Sequence, residues 1–408
     1  MPQRSIQVLE INERDVSLGG NNIPSVQCQE YERSTVNLRK QLSEILRPTL
    51  TAMKLTGHFF GPTAVNDDNK QRTWNFSCFY SALVTLSQYL LIVFAVTSHC
   101  HIGLSDMNKF IFLLQTVVWY TQCASGATIC LVMMPLSKDK RSRFSKFLSC
   151  FVETEPELKG IKAKAVKGLI FASSAAVANT VIIGLFSMRS GGIISLFPPW
   201  KLFAHKFVRV AEVVIPFFCS FAMFLPVLMF CITCMLLERM FSTLENKLSN
   251  ESIHNFTISY VRKEHVKLCE VVDLASTVFS PLLCAIISLD ATLICINSYQ
   301  LVRGDTDRIA IIAFVYWTLF VIVLLLILFS FGNQVHEKAH SFYETIQKSH
   351  VSIEDLKEHA ELTLFLAHLQ GDPIGLSVGG VAVVNKSLFL TLLGIIASYF
   401  VVLLTLPS

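Results

Sequence analysis

The chain has 408 residues, of which 52 % are hydrophobic and only 16 % charged, with a formal net charge of +4 and a mean hydropathy of +0.52. An ordinary water-soluble domain carries about a quarter charged residues, so that class is excluded. The composition predicts an all-α polytopic membrane protein.

Residues 1–73 contain no continuous apolar core, so no cleavable leader is expected and the first span must serve as the targeting signal. Their polar composition and the Gly19-Gly20-Asn21-Asn22 break predict a flexible segment over 1–45 and a membrane domain over 46–408. Crossing about 30 Å of hydrocarbon takes roughly 20 helical residues. Seven stretches suffice: 76–96, 110–134, 168–188, 213–236, 278–296, 309–331 and 387–406. The second and fifth are interrupted by Gln115, Gln122 and Asp290.

Positive charge orients the chain. The segment before the first span and the loops after the second, fourth and sixth hold 26 of the 34 Lys and Arg residues. Such residues are retained on the cytosolic side, which predicts a cytosolic amino terminus and an extracellular carboxy terminus. That is opposite to a G-protein-coupled receptor. Neither Asp-Arg-Tyr after the third span nor Asn-Pro-x-x-Tyr in the seventh is present.

Of the 12 cysteines, Cys100 alone falls in an outer loop, so no external disulfide framework is expected. Cys231-x-x-Cys234 lies in the fourth span without a matching pair and reads as packing. His99-Cys100-His101 reads as an ordinary loop rather than a metal site, because three adjacent side chains cannot easily face one ion. No metal cluster, phosphate loop or nucleophile triad stands out, so no enzyme activity, cofactor or nucleic-acid partner is expected.

The inner loops carry helical periodicity. Met240, Leu244, Leu248, Val261, Val266, Leu268, Val272 and Leu274 recur among charges and predict amphipathic helices over about 237–275 that continue the membrane helices inward. Ser352 to Asp355 reads as the capping start of another helix with Leu356, Leu362, Phe365 and Leu369 on one side, ended by Gly371-Asp372-Pro373, within a helical segment of about 335–372. The Lys-Glu-His runs at 263–265 and 357–359 read as solvated faces. In the last stretch, with a pore helix expected over about 376–406, Ser387, Thr391, Gly394, Ser398 and Thr405 fall within roughly 60° of one another on a helical wheel. A stripe of this kind suits either a pore wall or close helix packing through small residues.

At its carboxy end the chain reads Ser398-Tyr399-Phe-Val-Val-Leu-Leu404-Thr405-Leu406. This is similar to the TYhhhhhQF ending, with h hydrophobic, of the insect gustatory receptors, a branch of the seven-helix insect chemoreceptor superfamily. The Tyr and the five-residue apolar spacer match, while Ser, Thr and Leu replace Thr, Gln and Phe. The upstream run from Asn385 to Gly394, the Arg262, His265 and Leu268 positions and the run from Leu46-Arg-Pro48 to Gly57 are also similar. The likeness covers about residue 46 to the end.

The resemblance implies a ligand-gated nonselective cation channel in the plasma membrane of a sensory neuron. Such a channel is a homo- or hetero-tetramer with other gustatory receptors, and its seventh helices line one pore among membrane lipids. Pore and gate positions would then be Thr391, Ser398, Tyr399, Val402, Thr405 and Leu406, the last two standing where the family has Gln-Phe. A small-molecule tastant, sugar or bitter compound, would bind an extracellular-side pocket of each subunit. The outer halves of the spans offer Trp119, Tyr120, Phe186, Phe217, Phe221, Asp290, Asn297, Tyr316 and Trp317, with Phe218 and Tyr299 nearby. Asp290, a carboxylate deep in a span, has two open readings: a ligand group or a link between helices. Alternatives are an odorant-receptor subunit working with a co-receptor and, more distantly, a GPCR-like receptor or a transporter.

Overall fold

The computed structural model describes residues 25–59, 71–102, 107–134, 143–153, 158, 160–190, 206–250, 258–304, 308–348 and 356–405. In chain order these form α1 (Ser25–Leu55), α2 (Gln71–Ile102), α3 (Met107–Met133), α4 (Arg143–Glu153), α5 (Ile161–Ser190) and α6 (Lys206–Asn250). There follow α7 (Ile258–Arg303), α8 (Arg308–Lys348), α9 (Leu356–Leu369), β1 (Ser377–Val378), β2 (Ala382–Val383) and α10 (Lys386–Thr405). Six of the described helices, α2, α3, α5, α6, α7 and α8, are long and apolar enough to cross a membrane, and α10 is a shorter apolar helix. At 20 residues α10 rises about 30 Å, the thickness of the hydrocarbon layer. The seven expected spans therefore coincide with seven helices, and the all-α membrane fold is as the composition required.

At the centre lies α6. Every residue from 219 to 237 is buried, which fits a helix that is apolar on all sides. It is flanked by α3, α5, α7 and α8. The hydrophobic side chains of α2, by contrast, are widely exposed, as with Phe79, Leu83, Leu86 and Leu90, a surface suited to lipid tails.

Two helices were not legible as such. α1 begins at Ser25, inside the segment expected to be flexible, and buries Leu38, Leu42, Ile45, Leu46, Leu50 and Met53, a stripe at helical spacing that packs on α5 and α6. α4 lies in the basic loop after the second span and buries Phe144, Phe147 and Phe151 at i, i+3 and i+7. Residues 99–101 differ from the loop expected there, since α2 runs on to Ile102; their side chains lie outside the described residues, as does the expected capping run 352–355.

The expected amphipathic helices are the uninterrupted ends of α6, α7 and α8, together with α9. Met240, Phe241 and Leu244 of α6, Val261, Leu268 and Val272 of α7, Val335, Ala339 and Phe342 of α8, and Phe365 and Leu369 of α9 are all buried. An Arg262–Glu361 ion pair of 2.8 Å joins α7 to α9, and Lys338–Glu245 joins α8 to α6. His265 overturns the solvated-face reading of its Lys-Glu-His run. It is fully buried, because the α7 face that carries Val261, Leu268 and Val272 carries it too.

Residues 376–385 are not part of the last helix, as the 376–406 expectation had it. They form a hairpin pairing Ser377 with Val383 and Val378 with Ala382, turned by Gly379 and Gly380 at φ of 60° and 73°, a conformation that glycine adopts without strain. The hairpin is tied to α7: Ser377 N–H donates to Ser276 Oγ at 3.0 Å and Gly380 N–H to Ser280 Oγ at 2.8 Å. The helix then starts on an Asn385 cap, whose Oδ1 accepts the Leu388 N–H at 2.9 Å. Gly332 of α8 lets this junction close, since a Cβ there would collide with the Val384 side chain.

Candidate functional site

Within the bundle, polar side chains of three helices form a relay. Trp317 Nε1 on α8 donates to Asn179 Oδ1 on α5 at 3.0 Å, Asn179 Nδ2 donates to Ser220 Oγ on α6 at 2.9 Å, and Ser220 Oγ donates to the Pro216 carbonyl at 2.8 Å. Asn179 and Ser220 are buried. Each satisfies in apolar surroundings what would otherwise be a costly unpaired group. Neither was singled out from sequence, although an Asn inside an apolar span was a signal that could have found it.

Aromatic rings collect around this relay. Phe217 and Phe221 of α6 meet edge to face at 4.9 Å between centroids, Phe217 also contacts Phe218, and Phe314 lies 5.8 Å from Trp317. Tyr316 stacks on Phe320 at 5.9 Å, and Phe320 meets Phe224 of α6 at 4.8 Å. Trp317 is thus joined to α5 and α6 through Asn179 and Ser220, Tyr316 reaches α6 through Phe320 and Phe224, and Phe217 and Phe221 form a separate pair on α6 next in sequence to Ser220. Trp119 and Tyr120 are in contact with each other on α3, centroids 4.9 Å apart, with Tyr120 buried. Tyr299 is half-buried on α7. The side chain of Phe186 lies outside the described residues.

Asp290 and Asn297 sit apart, in the seam between α3 and α7. Gln122 Nε2 donates to Asp290 Oδ1 at 2.7 Å. Asp290 is 0 % exposed and Asn297 1 %, so both side chains are closed off inside the bundle. Asp290 Oδ2, Gln122 Oε1, Gln115 Oε1 and Asn297 Oδ1 have no partner among the described residues. The second and fifth crossings run in opposite directions, so the seven-residue steps from Gln115 to Gln122 and from Asp290 to Asn297 run along the same seam.

The last helix is two-faced. Leu388, Phe389, Leu392 and Ile396 pack against the core, whereas Thr391, Gly394, Ser398 and Thr405 are exposed. On a helical wheel the two sets point roughly 145° apart. Tyr399 and Val402 are 62 % and 55 % exposed. Val402 flanks the polar stripe, while Tyr399 lies roughly 110° from its centre. Thr391 and Ser398 donate to the carbonyls of Ser387 at 3.0 Å and Gly394 at 2.8 Å, so their hydroxyls are satisfied within the helix and leave the acceptor lone pairs outward. Leu406 lies outside the described residues.

A model of the 7tm chemosensory receptor family matches residues 46–405. The chain belongs to that family. Its members are chemosensory receptors. A search of curated proteins finds no match. Among solved structures, the fold is similar to that of the insect olfactory receptor OR5 from Machilis hrabei, with a TM-score of 0.68, 15 % identity and coverage of 91 % of this chain and 99 % of that one. The same receptor in complex with eugenol matches with a TM-score of 0.64 and 15 % identity, over 92 % of this chain and 98 % of that one. At that identity the likeness concerns the fold. The chain is therefore a chemosensory receptor with multiple membrane-spanning helices, as the carboxy-terminal motif suggested.

Proposed function

We propose that this receptor is a subunit of a ligand-gated, nonselective cation channel of the gustatory branch, with α10 lining a central pore of a homo- or hetero-tetramer in the plasma membrane of a sensory neuron. The observation that carries the reading is α10: one side rests on its own subunit, and the polar stripe is left outside, flanked by the exposed Leu390, Leu393, Ile395 and Val401. Around a shared axis that stripe offers hydroxyls to hydrated cations. A tastant would bind near the Trp317–Asn179–Ser220 relay, with Phe217, Phe221, Tyr316, Trp119 and Tyr120 as candidates for apolar contact. Eugenol, the ligand named for the structurally similar olfactory receptor, is a small aromatic molecule of the kind such a group accommodates. Asp290 and Asn297, closed off in the α3–α7 seam, support the helices rather than touch the ligand.

Cysteine at Ser398 or Thr405 is expected to react with water-soluble thiol reagents and to change the current, faster with agonist present. Cysteine at Phe400, on the opposite face, is expected to react little. Current that ignores modification at both stripe positions, in channels shown to reach the surface, would remove α10 from the pore.

The same proposal places the amino terminus in the cytosol, on the strength of 26 of 34 basic residues on one side. An epitope tag at the carboxy terminus is expected to stain intact cells and one at the amino terminus only permeabilised cells. The reverse pattern would invert the architecture.

A further inference from the structure

Three side chains of metal-ligand type converge where α9 packs on α7, about 2.5 turns before the apolar span of α7 begins. His265 and Cys269 stand one turn apart on α7, and His368 comes from α9. Their ligand atoms all lie within 4.8 Å of one another. Cys269 Sγ is 3.6 Å from His265 Nδ1 and 3.9 Å from His368 Nε2. Nitrogen and sulfur ligands held at 2.0–2.3 Å around a tetrahedral zinc ion stand roughly 3.3–3.7 Å from one another. The sulfur is close to that separation from both rings already. Only the two imidazoles must draw together, and His368, being exposed, is free to turn.

His265 is held from behind as a metal ligand needs to be. Its Nε2 lies 3.1 Å from the Ala339 carbonyl of α8. A carbonyl only accepts, so Nε2 carries the proton and Nδ1 turns its lone pair toward the sulfur. Metal-bound histidines are oriented in this way, one nitrogen donating to a carbonyl or carboxylate and the other on the ion. The rings of Phe241, Phe342 and Phe365 lie 5.6, 5.1 and 5.3 Å from the imidazole, and its Nδ1 faces the Cys269 sulfur.

Burial, and then the Asp273 and Glu270 carboxylates, push the Cys269 thiol up to about 12, so without an ion the sulfur keeps its proton. The same two carboxylates favour a cation beside it. When the S–Zn bond forms, the thiol proton passes to water.

We propose that His265, Cys269 and His368 bind one zinc ion that clamps α9 to α7, with a water molecule as the fourth ligand. The clamp reinforces the Arg262–Glu361 ion pair of the same two helices. It acts just ahead of the hairpin that leads into α10. The site stands independently of the channel reading, since it rests on α7, α8 and α9 alone.

The test uses the full-length chain, purified and monodisperse in detergent, titrated with Zn2+ against a chromophoric chelator. One equivalent is expected to bind, and Cys269→Ser and His368→Ala are each expected to weaken it by roughly 100-fold or more, since losing even an outer-shell partner costs about 10–100-fold. Both positions are at least partly exposed, so both variants are expected to fold, while His359→Ala, on an exposed part of α9, should leave binding unchanged. Substitution by Co2+ is expected to give a near-ultraviolet thiolate charge-transfer band that Cys269→Ser abolishes. No saturable binding, equal affinity in the parent and both variants, or a Co2+ spectrum without the thiolate band would overturn the site and leave the cluster as a thiol–imidazole contact.

Discussion

Replacing Asp290 by Leu is expected to reduce surface expression sharply, while Asn at the same position leaves it near the parent level. The carboxylate oxygen that accepts the Gln122 amide at 2.7 Å is retained in shape and acceptor character by an Asn carboxamide oxygen. Leu removes it and strands the Gln122 donor in the α3–α7 seam. An interhelical hydrogen bond in a membrane protein is worth about 0.6 kcal/mol and at most about 1.7, and a buried donor left without a partner adds about 1–3 kcal/mol. Together these take a large share of a typical folding stability of about 5–15 kcal/mol. Surface biotinylation of the two variants, with agonist concentration curves on those that reach the surface, measures the difference. An Asn variant with normal expression but a displaced concentration curve would return Asp290 to the ligand site.

How much of this could be read from the chain follows the strength of each signal. The spans were legible because twenty apolar residues in a row leave one outcome in a bilayer, and the helical ends of α6 to α9 were legible because Met240, Leu244, Leu268 and Phe365 keep a 3.6-residue period among charges. α1 and α4 escaped because their stripes, Leu42 to Met53 and Phe144 to Phe151, are short and set in basic polar surroundings that also fit a loop. The hairpin before α10 escaped because its two strands are two residues each, too short for an alternating pattern. Its turn signal, Gly379-Gly380, sat inside an apolar run. At the site, the aromatic members were visible as residue types, and Trp317 with Asn179 shows why partners were not: they are separated by 138 positions, and only the folding of α5 against α8 joins them. The cluster around the buried His265 was hidden in the same way, since its third member, His368, lies on another helix.

The relay itself is expected to set agonist sensitivity. Trp317→Phe keeps an aromatic ring against Phe314 but removes the indole N–H, leaving Asn179 Oδ1 without its donor. Asn179→Leu removes its bonds to Trp317 and Ser220 at once, whereas Ser220→Ala removes the two bonds of Ser220 and leaves Trp317–Asn179 in place. If the three act as a unit that holds Trp317 toward a ligand, the double variant Trp317→Phe with Asn179→Leu is expected to shift the half-maximal agonist concentration little more than either single change, because each alone already breaks the α5–α8 link. A hydrogen bond of this kind contributes about 0.5–1.5 kcal/mol, so the single shifts should be about 2–12-fold, with surface expression largely kept. Ser220→Ala is expected to fall below both, since Asn179 keeps its bond to Trp317. Shifts of Trp317→Phe and Asn179→Leu that simply add, or lost expression with unchanged sensitivity in the channels that remain, would mean that the relay holds helices together and that ligand binds elsewhere in the bundle.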